Sequence, residues 1–462
     1  MQRLRGMDAS FFYMETPTSH MHVVGTLVLD PSTAPDGYGL GTVRDLIESR
    51  IHLMPPFRRR LVEVPLGLDH PRWIEDPDFD IEHHLSRIAL PAPGDQRSLE
   101  EFVGGFAGRP LDRARPLWEL VLVEGLEDGN VALVTKMHHA AIDGVSGADL
   151  MVHLFDLDPS PAPVEPPTEP WTPDVVPSEV SLVAEGLVNQ AANPARMLRQ
   201  MARTLSSLAD VFKGIGSDDA VLPFSAPQAP WNGSISAQRC VAFSRCALDD
   251  LKTIKATFGC KINDVVLAAT TQSLRAYLRT HGAPVDRALV ASCPVSVRTD
   301  AEVGEVNNRV SSMFVALPVH LDDPLDQLDQ IVATTTAAKE LHAAMGADTL
   351  QDWAEVLTPG LFTLAMRSYS QLSLADRHPP LQNLIVSNVP GPPVPLYSAG
   401  ATVRATYPLG PLIDGAGMNL TVISNMGNLD AALIACPDLV PDPWLVTDGF
   451  AEGIDTLLRL AV

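Results

Sequence analysis

The chain has 462 residues, 46% of them hydrophobic, and a formal net charge of −23, which excludes broad electrostatic binding of nucleic acid because phosphate recognition needs a basic surface. That length exceeds one ordinary core and predicts two or three domains. The start lacks the apolar stretch of a secretory leader, no uncharged apolar run reaches the ~18 residues of a membrane span, and five cysteines show no Cys-x-x-Cys spacing, so a cytoplasmic protein with reduced core thiols and no metal site is expected.

Residues 1–157 alternate strand-like and helix-like segments, with Val23 to Leu29, Leu120 to Val123 and Val131 to His139 as the clearest strands. This pattern predicts a mixed sheet covered by helices. Arg58, Arg59 and Arg60 are candidates for the local basic patch that an anionic substrate or lipid headgroup would need, or for an ordinary solvated face. His83-His84 has no Asp-Gly after it and is read as surface or structural.

The richest stretch is Val131 to Gly144, an apolar strand that runs into His138-His139-x-x-x-Asp143-Gly144. Strand side chains alternate faces, so His139 is expected to share a face with Val131, Leu133, Thr135 and Met137, and His138 to point the other way with Lys136. The two histidines then have different jobs. An imidazole with a pKa near ~6.5 takes a proton from a hydroxyl or thiol near neutral pH, and His139 is the candidate general base, with His138 as support. Asp143 has two readings, a partner for His139 or an ion pair with an arginine that holds the loop. After Asp143-Gly144, Ser146-x-x-Asp149 reads as a helix cap, and Leu150, Leu154 and Phe155 continue the helical spacing.

Asp158 to Pro177 is rich in proline, which removes backbone donors and favours extended chain, so residues 158–222 are read as a linker plus an amphipathic helix. In that helix Leu198, Met201, Leu205, Leu208 and Phe212 run beside Arg196, Arg199 and Arg203, with Lys213 beyond. Its apolar stripe suits packing across two domains or contact with a lipid surface. Residues 223–462 form a second mixed region with strands at 240–243, 288–293, 312–317, 384–387, 418–424 and 431–435. Asn425 to Asn428 is a hairpin connection and Trp444 to Leu460 a closing helix. The expected fold is α/β with mixed sheets, arranged as two similar lobes with a channel between them.

Four segments stand together: Pro116-Leu-Trp118-Glu, His138-His139-x-x-x-Asp143-Gly144, Asn263-Asp264-Val-Val-Leu-Ala and Ser387-Asn388-Val-Pro-Gly-Pro. With Met7-Asp-Ala-Ser-Phe-Phe, His20-Met-His22 and Cys293-Pro-Val-Ser-Val-Arg298, their order and spacing resemble the bacterial wax ester synthase/diacylglycerol acyltransferase family over nearly the whole chain. That family is similar to coenzyme A-dependent acyltransferases built from two chloramphenicol-acetyltransferase-like lobes. The resemblance implies that the first lobe supplies the histidine and that acyl-CoA and acceptor channels reach it from opposite sides.

Carried over by residue, His139 resembles the base that deprotonates the acceptor hydroxyl. Asp143 resembles the loop-orienting carboxylate, and Gly144 lets the backbone turn where a side chain would crowd the channel. Asn263, Asp264, Ser387 and Asn388 match motif positions that donate to the oxyanion or support the site. Asparagine at 263 also suits an N-cap for a helix from Asp264 to about Thr280, and Ser387-Asn388 suits a turn. Trp118 fits a core aromatic or an acyl-channel wall, and Arg298 is the suggested ion-pair partner of Asp143. The implied reaction is acyl transfer from long-chain acyl-CoA, as co-substrate, to diacylglycerol or a long-chain alcohol. No cofactor or metal is called for, and a peripheral membrane or lipid-droplet surface is the expected setting. The alternatives are a condensation-domain-like enzyme and a catalytically silent lipid-droplet surface protein.

Overall fold

A computed structural model describes residues 1–4, 6–142, 153–191, 225–296, 310–345 and 359–462. The strands are β1 (Gln2–Arg3), β2 (His22–Asp30), β3 (Arg59–Val62), β4 (Arg72–Glu75), β5 (Leu85–Ala89), β6 (Trp118–Glu124), β7 (Val131–His138), β8 (Cys240–Ala247), β9 (Leu289–Ser296), β10 (Val310–Leu317), β11 (Leu384–Val389), β12 (Tyr397–Ser398), β13 (Ala401–Leu409), β14 (Met418–Asn425) and β15 (Asn428–Ala435). Among the described residues they build two six-stranded sheets, ordered β12-β13-β2-β7-β6-β5 and β10-β9-β11-β14-β15-β8, and a small sheet β1-β4-β3. Both large sheets mix parallel and antiparallel pairs. The helices that position the site are α1 (Gly6–Tyr13), α2 (Leu40–Arg50), α3 (Gln96–Ala107), α4 (His139–Ile142), α5 (Glu179–Ala191), α6 (Leu248–Phe258), α7 (Ile262–Thr280), α8 (Pro324–Met345), α9 (Pro359–Gln371) and α10 (Pro443–Ala461).

β7 is central in the first sheet and buried on both faces, which is why it reads as a nearly unbroken apolar run. Leu133 and Met137 join the core beneath α2, while Ala132 and Val134 join a second core. That second core also contains Val241, Phe243, Ala432 and Ile434 from the other sheet. The lobes therefore share buried apolar surface in addition to facing one another. Each fully buried valine, isoleucine or phenylalanine among them contributes about 1.5–3 kcal/mol, and each alanine less.

Two expectations change. Residues 397–409 return from the 223–462 region to form the edge of the first sheet, where β13 pairs antiparallel with β2. A division drawn along the sequence misses that strand, because its apolar alternation is equally compatible with either sheet. The proline-rich segment is not a free spacer where it passes β4: Trp171 donates Nε1–H to Glu75 at 2.9 Å, and Asp174 exchanges backbone and side-chain bonds with the same residue. The proposed amphipathic helix at 196–213 lies outside the described residues. The hairpin forms as expected, with Asn425 opposite Asn428 and both Met426 and Gly427 at positive φ.

Candidate active site

β7 ends at His138, and His139 begins α4. The strand-parity expectation for His139 is thus corrected: the backbone turns into a helix one residue earlier, and that turn, with no further pleat, separates the two rings. The turn is fixed by His138 N–H donating to the carbonyl of Leu117 at 3.0 Å and His139 N–H donating to Met21 at 2.9 Å.

His138 is buried and fully engaged. Its Nε2 meets Glu15 Oε1 at 2.9 Å, and its Nδ1 accepts the Ala140 N–H at 3.1 Å. The Phe12 ring stacks on it at 4.1 Å and 4°. Burial holds its pKa below the ordinary 6.5, opposed by the Glu15 carboxylate. His22 lies opposite in the strand register, its ring centroid 6.1 Å away. Burial, then His138 and Lys136, push the His22 pKa well down. Lys136, on the same strand, is wholly buried against Glu119 at 3.0 Å and the Phe106 ring.

His139 differs. It is half-buried and stacks on Phe11 at 4.0 Å and 21°. α1 thus covers both imidazoles with consecutive aromatic residues. Asp143, Gly144 and Arg298 lie outside the described residues, so neither reading of Asp143 gains or loses there. Arg50 donates to the His153 carbonyl at 3.0 Å and takes Asp156 bidentately at 2.8 Å on both oxygens. This largely buried pair ties α2 to residues 153–156.

In the second lobe, Asn263 is not the N-cap of its helix. α7 starts at Ile262, and the Asp264 carboxylate accepts the Lys261 N–H at 2.9 Å and the Thr335 hydroxyl at 3.0 Å. Asp264 is therefore a buried structural cap, in line with the supporting role among the readings given for it. The capping explanation for Asn263 goes with it. Its side-chain oxygen instead accepts Asn388 Nδ2 at 3.4 Å, joining α7 to β11. Ser387 and Asn388 belong to β11, not to a turn.

Trp118 donates Nε1–H to Phe57 at 2.9 Å and stacks on His84 at 4.4 Å. The void it lines measures about 70 Å³, far below the roughly 300–1,000 Å³ of ligand sites. It is a core aromatic. His84 is buried with Nδ1 2.8 Å from the Trp118 carbonyl, as the structural reading requires. Arg59 and Arg60 pair with Glu75 and Asp76, and Arg58 lies over Trp171, so two of the three charges in the suggested basic patch are already paired.

A larger cavity of about 510 Å³ opens between Met14, Thr16 and Ser19 on one side and Met366, Tyr369 and Leu381 on the other. Its residue 14–19 wall is the same segment that carries Glu15. Sequence reasoning missed Glu15 and the Arg50–Asp156 pair, and quoted Phe11 and Phe12 in a motif without giving them a role. The consecutive aromatics at 11 and 12 were visible, but nothing local ties them to a strand more than a hundred residues away.

Comparison with known proteins agrees along the chain. A family model described as the wax ester synthase/diacylglycerol acyltransferase catalytic domain matches residues 4–266, and one for the C-terminal domain of the same family matches 306–458. A Mycobacterium tuberculosis protein that carries the name diacylglycerol O-acyltransferase is 41% identical over 99% of this chain and 90% of its own length. The wax ester synthase/diacylglycerol acyltransferase structure from Marinobacter aquaeolei VT8 superposes with a TM-score of 0.69 at 25% identity, covering all of both chains. A starter condensation domain of rhizomide synthetase shares the fold, with a TM-score of 0.55 at 14% identity over 100% of this chain and 94% of its own.

Proposed function

The chain belongs to the wax ester synthase/diacylglycerol acyltransferase family, and from that premise we propose that it moves a long acyl chain from coenzyme A to diacylglycerol, with long-chain alcohols as further acceptors and His139 as general base. The acceptor hydroxyl gives its proton to the His139 imidazole while its oxygen forms a bond to the thioester carbonyl carbon. The resulting oxyanion collapses, the carbon–sulfur bond breaks, and the imidazolium returns the proton to the thiolate. Ester and free coenzyme A leave, and no metal or prosthetic group enters the balance. A positioned base of this kind is worth roughly 10² to 10⁴ in rate.

The observation that carries the reading is the contrast at residues 138 and 139: one ring is committed at both nitrogens, and its neighbour is half-buried on a stacked aromatic. Asn263 and Asn388 support a second-lobe wall for the oxyanion, since capping no longer accounts for Asn263. The 510 Å³ cavity beside residues 14–19 has the size and apolar walls for part of a hydrocarbon chain. Each buried methylene contributes about 0.8 kcal/mol.

Peripheral attachment to a lipid surface belongs to the same reading. No described helix is long and apolar enough to cross a membrane. Leu66, Leu187, Val188, Leu361 and Leu364 are exposed. The backbone of Gly67 meets Gly360 closely enough to bring Leu66 beside α9. Exposed apolar patches of this kind mark contact surfaces. Purified protein given labelled palmitoyl-CoA with diacylglycerol or a long-chain alcohol is expected to form ester, and the protein is expected to co-sediment with lipid. No ester with either acceptor overturns the enzymatic reading and favours a silent coat protein; a wholly soluble distribution overturns the peripheral one.

A further inference from the structure

Glu15 lies between α1 and β2 with both carboxylate oxygens engaged. Oε1 meets His138 Nε2 at 2.9 Å, and Oε2 takes the Arg113 guanidinium, which also reaches Glu63. At the other side of the ring, Nδ1 accepts the Ala140 N–H at 3.1 Å. A nitrogen that accepts a hydrogen bond carries no proton, so this ring is the Nε2–H tautomer, and that proton is the one Glu15 accepts. Ala140 is the second residue of α4 and His139 the first. His138 is therefore the side-chain cap of the helix that presents His139, and capping is the usual way a helix start is fixed in direction.

The charged and titratable groups that face His138 are Glu15 and Arg113 from the α1 side, His139 beside it, and His22 across the strand pair. Glu15 is the acceptor among them. Phe12 closes the ring from the α1 side at 4.1 Å.

We propose that Glu15 is a positioning residue for acyl transfer: by holding His138 in its Nε2–H form it keeps Nδ1 free to cap α4, and that cap sets the orientation of His139. The proposal rests on the reading of His139 as base. It makes an isosteric change damaging. In Glu15→Gln the Arg113 guanidinium claims the amide oxygen, which turns the amide NH₂ toward His138. The ring then has to accept at Nε2 and carry its proton on Nδ1, where it opposes the Ala140 N–H. A hydrogen-bond acceptor has become a donor with no change in volume.

The test is Glu15→Gln alone and in a His138→Asn background, where asparagine caps the helix with an oxygen that has no tautomer. Histidine-labelled ¹⁵N spectra identify the His138 signals as those lost in His138→Asn. Glu15→Gln is expected to move them to the Nδ1–H pattern and to lower kcat roughly 10- to 100-fold without changing the KM for palmitoyl-CoA, the scale of a small misplacement of a catalytic group. In the His138→Asn background the same change is expected to cost almost nothing. An unchanged tautomer, a flipped tautomer with wild-type kcat, or an equal loss in both backgrounds overturns the proposal. Failure of the base reading is separately visible, as ester formation that survives His139→Ala while the tautomer still responds to residue 15.

Discussion

The interior of β7 and its exit into α4 place the same side chain in two different physical situations. His138 is buried, with both nitrogens engaged, so its proton is fixed by the fold. One residue later the backbone leaves the sheet, and His139 is left half-buried with its ring face on Phe11. On the proposed reading, adjacent identical residues divide the work of holding and of reacting. The comparison also separates two kinds of defect: changes in the interior of β6 and β7 should move stability, and changes on the α4 ledge should move turnover.

Apart from the histidines themselves, the largest effect is expected in the interior. Trp118→Ala removes a buried indole with its hydrogen bond to Phe57 and should destabilise by about 3–5 kcal/mol, read by denaturant unfolding. The transfer rate per folded molecule should hardly change, and a proportionate loss would restore Trp118 to the substrate channel. Next comes the second-lobe wall. Asn388→Leu should lower kcat roughly 10- to 100-fold if its amide helps hold the oxyanion, with unfolding nearly unaltered; a change in stability alone would make the Asn263–Asn388 contact structural.

On the ledge, Phe11→Leu keeps apolar cover but loses the stacked ring, and is expected to lower kcat by about tenfold or less. The smallest effect is on acid stability. Burial depresses the pKa of His22, His84 and His138, so below about pH 6.5 the unfolded chain takes up protons that the folded one refuses. The stability is fully present above that pH and is lost as pH falls beneath it. Thermal unfolding should therefore show a lower Tm at about pH 5.5 than at about pH 7.5, and His138→Asn should reduce the difference.

Much of this was legible from local pattern. The apolar run from Val131, the hairpin at Asn425 to Asn428 and the helix after Asn263 each follow from signals contained within a few residues. The end of β7 was placed one residue late because parity says which way a strand side chain points but not where the strand stops; that depended on the carbonyls of Leu117 and Met21. Asn263 suits an N-cap by residue type, yet the helix starts at Ile262 with Lys261 at the cap position, and Asp264, three residues on, reaches back to the Lys261 N–H. β13 was invisible as part of the first sheet because strand pairing across more than 370 positions leaves no local trace. Glu15 was missed for the same reason.

The central claim is that His139 reacts and His138 holds it. Its most direct measurement is the single-turnover rate of ester formation from labelled palmitoyl-CoA in His139→Asn and in His138→Asn, compared side by side with folded protein verified for each. The account predicts a fall of roughly 10² to 10⁴ for His139→Asn and a rate within about tenfold of the unaltered protein for His138→Asn, whose asparagine still caps α4. Equal losses in the two proteins, or the larger loss at His138, would contradict it.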